Sequence, residues 1–388
     1  MNKVKNQYEK YPYPYILDDL DGFLKRVIPL GSPSLFWERL WPEKSKQDKL
    51  NILIAGCGTF EGAMQAKLNP QSKVTAVDLS SASIAENEKL KEKHKLKNLQ
   101  LICGDFLKIK FKDKFDLIHS NGVIHHLENP ANALKCFYKY LKDDGVINLM
   151  VYGTKQLWSL NEIKKVFRKL KLRQDEKGLE IADRLIKELP YNHPAKKYYT
   201  LCNEMSVAEK IDLLLHAQEC FFNIKDIITL LKDNKLYIKN FITPNINRYP
   251  DILTKLDEFN NLSIEDKLTM GQILNFDDDQ IEMVICKNKK DSLIYNKINF
   301  DDWGLHAKGS EIDIDDELEV VSFLNPNIKF KKLSIAFKVK DREKFLSYVT
   351  GKSSGKKFFK DYNKKQVKIM KEFILKLFQH GYVDFKIK

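Results

Sequence analysis

The sequence predicts an α/β fold built on a parallel sheet, and three observations carry that prediction. The first is a nearly unbroken apolar run, Asn51-Ile52-Leu53-Ile54-Ala55, that passes directly into Gly56-x-Gly58 and then Gly62. The second is the alternation of strand-like and helix-like stretches from residue 51 to 153, a βαβ pattern that implies right-handed crossovers. The third is the recurrence of acidic, glycine and histidine residues just after the strand-like runs. In such sheets these carboxyl ends are where ligands bind.

The first strand shows no alternation, which suits a strand covered on both faces. The glycines that follow let the backbone turn sharply and let a ligand lie directly on it. In a dinucleotide fingerprint a third small residue would fall at position 61, and a pyrophosphate would sit on the helix N-terminus. Position 61 is Glu61, whose charge is unwelcome beside a phosphate. The expected ligand is therefore a nucleoside without phosphates.

A helix continues from Ala63 to Leu68, where Asn69-Pro70 stops it. Lys73 to Asp78 forms a second strand ending in an acid, placed where folds of this kind hold a carboxylate against ribose hydroxyls. Ser80, with Glu86, can cap the next helix, which reaches about Leu96. Asn98 to Cys103 is a third strand, followed by Gly104-Asp105-Phe106. Phe115 to Leu127 supplies a fourth strand and an exit loop carrying Asn121, Gly122, His125 and His126. After a helix over 131–141, the turn Asp143-Asp144-Gly145 leads to a fifth strand ending near Tyr152, which should point into the same cleft. Two later strands, 236–242 and 280–286, fit an antiparallel edge hairpin.

The order Ile54-Ala55-Gly56-Cys57-Gly58-Thr59, Ala76-Val77-Asp78-Leu79-Ser80, Gly104-Asp105-Phe106 and Ser120-Asn121-Gly122-Val123-Ile124-His125-His126-Leu127 resembles a class I S-adenosylmethionine (AdoMet) methyltransferase. More narrowly, it is similar to a bacterial group often fused to tetratricopeptide repeats, although no such period occurs in this sequence. The likeness spans about residues 7 to 290. It implies a Rossmann-like sheet and AdoMet as cofactor, held by Gly56, Cys57, Gly58, Thr59, Asp78, Leu79, Gly104, Asp105, Phe106, Asn121 and Gly122. Asp78 would take the ribose and Asp105 the adenine amino group. Phe60 departs from the small residue usual after Gly-Cys-Gly-Thr and narrows the loop.

The domain organisation follows. Residues 1–48 form an N-terminal strap, 49–153 the cofactor-binding core, 154–235 a helical insertion, 236–290 the edge strands and 291–388 a C-terminal accessory domain. In the strap, Tyr8-Glu9-Lys10-Tyr11-Pro12-Tyr13-Pro14-Tyr15 predicts an extended path, because two prolines oppose a helix. It also resembles the N-terminus of one group of these enzymes, so the strap is expected to cover the cofactor through Tyr11 or Tyr13. Residues 33–42 suggest a short amphipathic helix.

Within the insertion, Ile163, Val166, Phe167 and Leu170 share a helix face, with Lys164, Lys165, Arg168, Lys169 and Lys171 around the rest. The segment Asp212 to Glu219 resembles a mark of the subgroup. Its polar cluster suggests an acceptor pocket, so His216 and Glu219, with His125 or His126 at the tip of the fourth strand, are the candidate catalytic residues. In the last region, Asp301-Asp302-Trp303, an acidic run at 311–318, a strand-like 333–339, a basic helix at 363–379 and a strand-like 382–385 fit a small α/β or winged-helix-like domain. Gly351-Lys352-Ser353 is not a phosphate loop, because Leu346 stands where its first glycine belongs.

Composition narrows the classes further. Hydrophobic content of 43% with 31% charge describes a globular protein, and no apolar run approaches the ~20 residues of a membrane span. The N-terminus lacks the apolar core of a signal peptide. Cys57, Cys103, Cys136, Cys202, Cys220 and Cys286 are scattered, which fits thiols of a cytoplasmic protein and gives no metal-binding pattern. The net charge of +13 comes mainly from lysine, a bias of AT-rich genomes. A nucleic-acid acceptor is therefore not favoured over a protein side chain, such as lysine, or a small molecule. A non-catalytic AdoMet-binding module is the rival reading, and the histidines near the cofactor end argue against it. Glu61 disfavours an oxidoreductase.

Overall fold

The computed structural model describes residues 3–154, 157–200, 204–242, 251–254, 256–274, 280–292, 303–306, 311–315, 317–324, 332–336, 338–340, 342–379 and 382–387. The expectations for Cys202, Asp301 and Asp302 fall outside these residues. No helix among the described residues is long and apolar enough to cross a membrane. The chain divides into two compact units.

The first unit opens with α1 (Lys3–Lys10), α2 (Leu20–Leu24) and the start of α3 (Pro33–Leu40). The extended path expected from Tyr8 onward therefore begins later. Residues 8–10 close a helix, because Val4, Tyr8 and Tyr11 recur at helical spacing and the first proline stands only at position 12. Then come β1 (Asn51–Ala55), α4 (Glu61–Leu68), β2 (Lys73–Asp78), α5 (Ser81–Lys93), β3 (Leu99–Cys103), β4 (Phe115–Asn121), α6 (Pro130–Tyr140) and β5 (Leu141–Tyr152). A 3₁₀ turn at Ile124–His126 follows β4. The insertion supplies α7 (Trp158–Lys169), α8 (Glu176–Glu188), α9 (Pro194–Thr200), α10 (Val207–Leu215) and α11 (Ile224–Asp233), before β6 (Tyr237–Phe241). The described residues between β6 and β7 include α12 (Asp251–Thr254), α13 (Asp257–Asn260) and α14 (Ile264–Leu274). β7 spans Gln280–Cys286.

The strands form one seven-stranded sheet in the order β3-β2-β1-β4-β5-β7-β6. β1 to β5 pair in parallel, and β7 runs antiparallel to β5. The order reverses between β1 and β4, which opens a crevice at their carboxyl ends. Ile52, Leu53, Ile54 and Ala55 are buried, as expected for a strand with helices on both faces. Gly62 lets α4 close on the sheet, since a Cβ there would stand 2.6 Å from the Ala76 Cβ.

The insertion has its own core, in which Leu160, Phe167, Leu179, Ile186, Ile211 and Leu214 are buried together. Phe167 joins this core as expected, but Val166 and Leu170 are exposed. Lys164, expected on the solvated face, is buried instead, because Glu219 reaches it from the chain beyond α10. Lys165, Arg168, Lys169 and Lys171 are exposed.

The second unit takes the rest of α3, β6 from Ile238 onward and α12 to α14, together with β8 (Trp303–His306), β9 (Glu311–Asp315), β10 (Val320–Leu324), β11 (Lys332–Ala336), α15 (Arg342–Val349), α16 (Gly355–Phe359), α17 (Lys364–Gln379) and β12 (Asp384–Ile387). β9, β10 and β11 form an antiparallel sheet, and β8 pairs with β12. Val321, Phe323, Phe345, Tyr348, Phe358, Ile374 and Phe385 lie in its core.

Candidate active site

A cavity of about 570 Å³ opens over the carboxyl ends of β1, β2, β4 and β5 in the first unit. The turn after β1 floors it, with Gly56 at φ 81° and Gly58 at φ 50°. A side chain at Gly58 would collide with the strap, since its Cβ would lie 2.8 Å from the Tyr13 carbonyl oxygen. Thr59 ties the strap down there. Its N–H donates to Tyr13 O at 3.1 Å and its hydroxyl to Tyr15 O at 2.6 Å.

Asp78 stands at the end of β2. Its carboxylate accepts from Gly58 N at 2.8 Å and from Ser80 N at 2.9 Å. Burial pushes its pKa up, and these backbone donors oppose the rise. Ser80 caps α5 as expected, accepting from Ser83 N, whereas Glu86 pairs with Lys89. A second cap comes from the strap: the Glu9 carboxylate accepts from Ser81 N, Ser81 Oγ and Ala82 N.

Of the residues expected around a cofactor, Gly56, Cys57, Gly58, Asp78, Leu79, Asp105, Phe106, Asn121, Gly122 and Tyr13 line this cavity. Gly104 sits one layer back, donating its N–H to Asp78 O, and Thr59 faces the strap. Tyr11 packs into the core of the insertion. It sits one turn of α1 beyond Gln7, which is turned toward Asp212. Tyr8 lines the cavity on the strap side, alongside Tyr13.

The other end of the cavity is built by Tyr8, Tyr13, Tyr152, His126 and Gln218. The Tyr13 and Tyr152 hydroxyls are hydrogen bonded, and burial raises both pKa values. Residues 216–222 run against the 3₁₀ turn and the end of β5. His126 Nδ1–H donates to Gln218 O at 3.1 Å, Gln218 Nε2 to His126 O at 3.3 Å, Cys220 N to His125 O at 2.9 Å and Phe222 N to Tyr152 O at 3.0 Å. Because Nδ1 carries the His126 proton, Nε2 holds the lone pair. Burial lowers this ring's pKa to about 4.

Of the candidate catalytic residues His126 lines the cavity, whereas His125, His216 and Glu219 do not. His125 is buried with neither ring nitrogen hydrogen bonded, and burial drives its pKa well down. His216 stacks on His126 with ring centroids 3.7 Å apart. Gln218 N–H donates to its Nδ1 at 3.0 Å, so the neutral ring carries its proton on Nε2. Tyr8 Oη lies 3.0 Å from that Nε2 and 2.9 Å from Asp212 Oδ1. The result is a directed chain, His216 Nε2–H to Tyr8 Oη–H to the Asp212 carboxylate. His126, Asp212 and His216 bring ligand-type atoms within 4.8 Å of one another, but the proton on His216 Nε2 occupies the lone pair a metal would need. Glu219 is turned away to Lys164.

Tyr8 and Gln218 are lining residues to which the sequence motifs assign no role. The helical spacing of Val4, Tyr8 and Tyr11 is the sequence signal that points to the first of them. For Gln218 the signal lies in its neighbours, since it stands between the candidates His216 and Glu219.

Comparison with known proteins agrees with this geometry. Residues 46–204 match the model of a family described as a methyltransferase domain. Among solved structures, PKMT2 from Rickettsia typhi in complex with AdoHcy superimposes with a TM-score of 0.63 at 17% identity, covering 92% of this chain and 75% of that one. This is a likeness of fold. An uncharacterized protein of Synechococcus is 25% identical over 244 residues, 58% of this chain and 57% of its own length. A malonyl-[acyl-carrier protein] O-methyltransferase of Bacillus cereus is 29% identical over 110 residues, 28% of this chain and 40% of that one. The chain thus spans between two fifths and three fifths of the length of these two relatives.

Proposed function

We propose that the protein is a class I AdoMet methyltransferase that transfers a methyl group from AdoMet to an amine, in the first instance a protein lysine side chain. One observation carries the reading: a single cavity joins the glycine turn, Asp78 and Asp105 to an uncharged wall of Tyr8, Tyr13, Tyr152, His126 and Gln218. Among the described residues, Glu61, Asp78, Asp105 and Glu128 line it against one lysine, Lys3. That balance suits a phosphate-free, cationic nucleoside.

When bound, AdoMet supplies a methyl group activated on a sulfonium, so the protein's task is orientation and exclusion of water. Asp78 and Asp105 would hold the nucleoside, and the backbone at Gly56 and Gly58 allows its close approach. The tyrosine hydroxyls can accept from an amine, while their ring faces suit an alkyl stem or a cation. Their raised pKa values keep them neutral, so they orient rather than deprotonate. His126 Nε2 is the lone-pair nitrogen on this wall. His216, His125 and Glu219 act from behind it, fixing Tyr8, Tyr152 and Gln218. A carboxylate acceptor, as the name of the Bacillus cereus relative suggests for that protein, would meet the acid-rich lining with little cationic help.

Incubation of the protein with methyl-labelled AdoMet and fractionated cell extract tests this. Label is expected in protein, recovered as methyl-lysine after hydrolysis. Label only in small molecules would overturn the lysine reading, and no transfer at all despite AdoHcy binding would favour a binding module.

A further inference from the structure

The positive charge of the chain is not spread evenly. Residues 352–368 hold seven lysines and one acid, Asp361, so 17 positions carry +6 of the net +13. A genomic bias raises lysine everywhere and does not concentrate it. The run forms one helix–turn–helix segment of the second unit, α16 and the start of α17. Phe358, Phe359, Met370 and Phe373 anchor both helices in the core of that unit. The Phe358 ring also stacks on Tyr348 of α15, with centroids 4.7 Å apart. Lys352, Lys356, Lys357, Lys360, Lys364, Lys365 and Lys368 are all left exposed.

This arrangement works against the local electrostatics of the fold. Asp361 is paired with Lys344, and among the described residues none of the seven lysines makes a salt bridge. The cap of α17 is neutral: Asn363 Oδ1 accepts from Gln366 N at 2.9 Å. Lys364 and Lys365 fill a first turn that carries no acid. Cations there oppose the helix dipole, and Lys364 with Lys368 is a like-charge pair one turn apart. A negatively charged partner would offset that repulsion.

Three features fit a protein partner better than a nucleic acid. The run contains no arginine, the side chain that grips phosphate bidentately. Its phenylalanines are buried and its Tyr362 ring lies beneath the Lys340 ammonium, so no open ring is offered for a base to stack on. Lys365, Lys368, Ile369, Glu372 and Leu375 recur at helical spacing and are exposed, which sets an acid and two apolar side chains among the lysines. Glu372 would repel a phosphate backbone. A protein surface can supply a cation for it and apolar contacts for Ile369 and Leu375.

Resting on the methyl-transfer reading, we propose that this segment docks an acidic protein, and that this protein is the methyl acceptor. The lysines hold the acceptor by charge and raise its effective concentration without taking part in the chemistry.

Fluorescence anisotropy with a labelled Glu-Glu-Leu repeat peptide tests the docking apart from the reaction. Wild type should bind the peptide and release it as salt is raised. A variant carrying Lys356→Gln, Lys357→Gln, Lys364→Gln and Lys365→Gln should bind at least about tenfold more weakly. It should unfold in urea no earlier than wild type, because like-charge repulsion is relieved. Lys165→Gln, Lys169→Gln and Lys171→Gln together, which remove exposed charge from the insertion, should change binding by less than about twofold. Equal loss in both variants would reduce the effect to net charge and overturn the assignment, as would a destabilised lysine variant. Tighter binding of wild type to oligouridine, or to vesicles of phosphatidylglycerol, would overturn it in favour of a nucleic acid or a membrane. In methyl-labelling of extract proteins the lysine variant should show a raised KM with kcat retained. Peptide binding without any methyl transfer would sink the methyl-transfer reading and not the docking, and transfer without peptide binding would do the reverse.

Discussion

Lys164 Nζ lies 2.7 Å from Glu219 Oε2, and each side chain is only 3% exposed. The ammonium also sits over the Phe221 ring, 5.3 Å from its centroid. Burial raises the Glu219 pKa, with Lys164 opposing the rise. The pair ties α7 to the segment that places Gln218 on the cavity wall.

Breaking that pair from one side strands a buried charge. Lys164→Met should cost about 3–5 kcal/mol of stability, whereas Lys164→Met combined with Glu219→Met should recover most of it. Urea unfolding at pH 7 measures both. Turnover should return with stability in the double variant. A stable double variant that has lost turnover would make Glu219 a reacting group instead.

The Tyr8–Asp212 contact has a pH signature. Burial lifts the Asp212 carboxyl to about 7, against ~3.9 in an unfolded chain. Between those values the native protein keeps a proton that the unfolded chain has released. This group's contribution to stability is therefore greatest at low pH, falls as pH rises, and levels off above about 7. His126 and His216, kept neutral by burial, act in the opposite sense. Asp212→Asn keeps an acceptor for Tyr8 but cannot titrate. Its stability relative to wild type should climb from pH 4 to 7 and then flatten, which chemical unfolding across that range would record. A difference independent of pH would exclude Asp212 as the titrating group.

Asp78 is held by two backbone N–H groups and faces the cavity. Asp78→Ala should weaken AdoHcy binding by roughly 1.5–3 kcal/mol through lost charge-assisted hydrogen bonds to the ribose. Calorimetry would read this directly, and unchanged affinity would remove the carboxylate from the cofactor's contacts.

Gly58 combines a positive φ with the strap's backbone at its back. Gly58→Ala should destabilise the closed arrangement by about 1–3 kcal/mol from strain alone, beyond the collision with Tyr13 O. Protease digestion should then cut the strap sooner than in wild type, and AdoHcy affinity should fall. Equal protection in both proteins would mean that the turn yields without moving the strap.

The sheet was legible because each of its strands is a local signal. Ile52 to Ala55, Val74 to Val77 and Val146 to Val151 are apolar runs ending in turn residues, and glycine spacing marked the ligand end. The acceptor wall was less so. Gln218 faces the cavity while His216 and Glu219 face away, a choice made by Gln218 N–H, Tyr8 and Lys164 from distant parts of the chain. The helix at 3–10 was hidden by the prolines just beyond it. Lys164 read as a surface residue because no local pattern announces a partner 55 positions away.

The Tyr8 hydroxyl and Asp212 are separated by 204 positions in the chain. At a synthesis rate of roughly 5–20 residues per second, that separation corresponds to about 10–40 s on the ribosome. Throughout that interval α1 has no α10 to dock against, and Tyr8, Tyr11 and Tyr13 must wait with their apolar faces unclaimed. The nucleoside-side floor, β1 through β3, is complete long before its roof can be. Newly made chains should thus pass through a stage with the parallel strands β1 to β5 available for pairing and the first fifteen residues still open to chaperones or proteases.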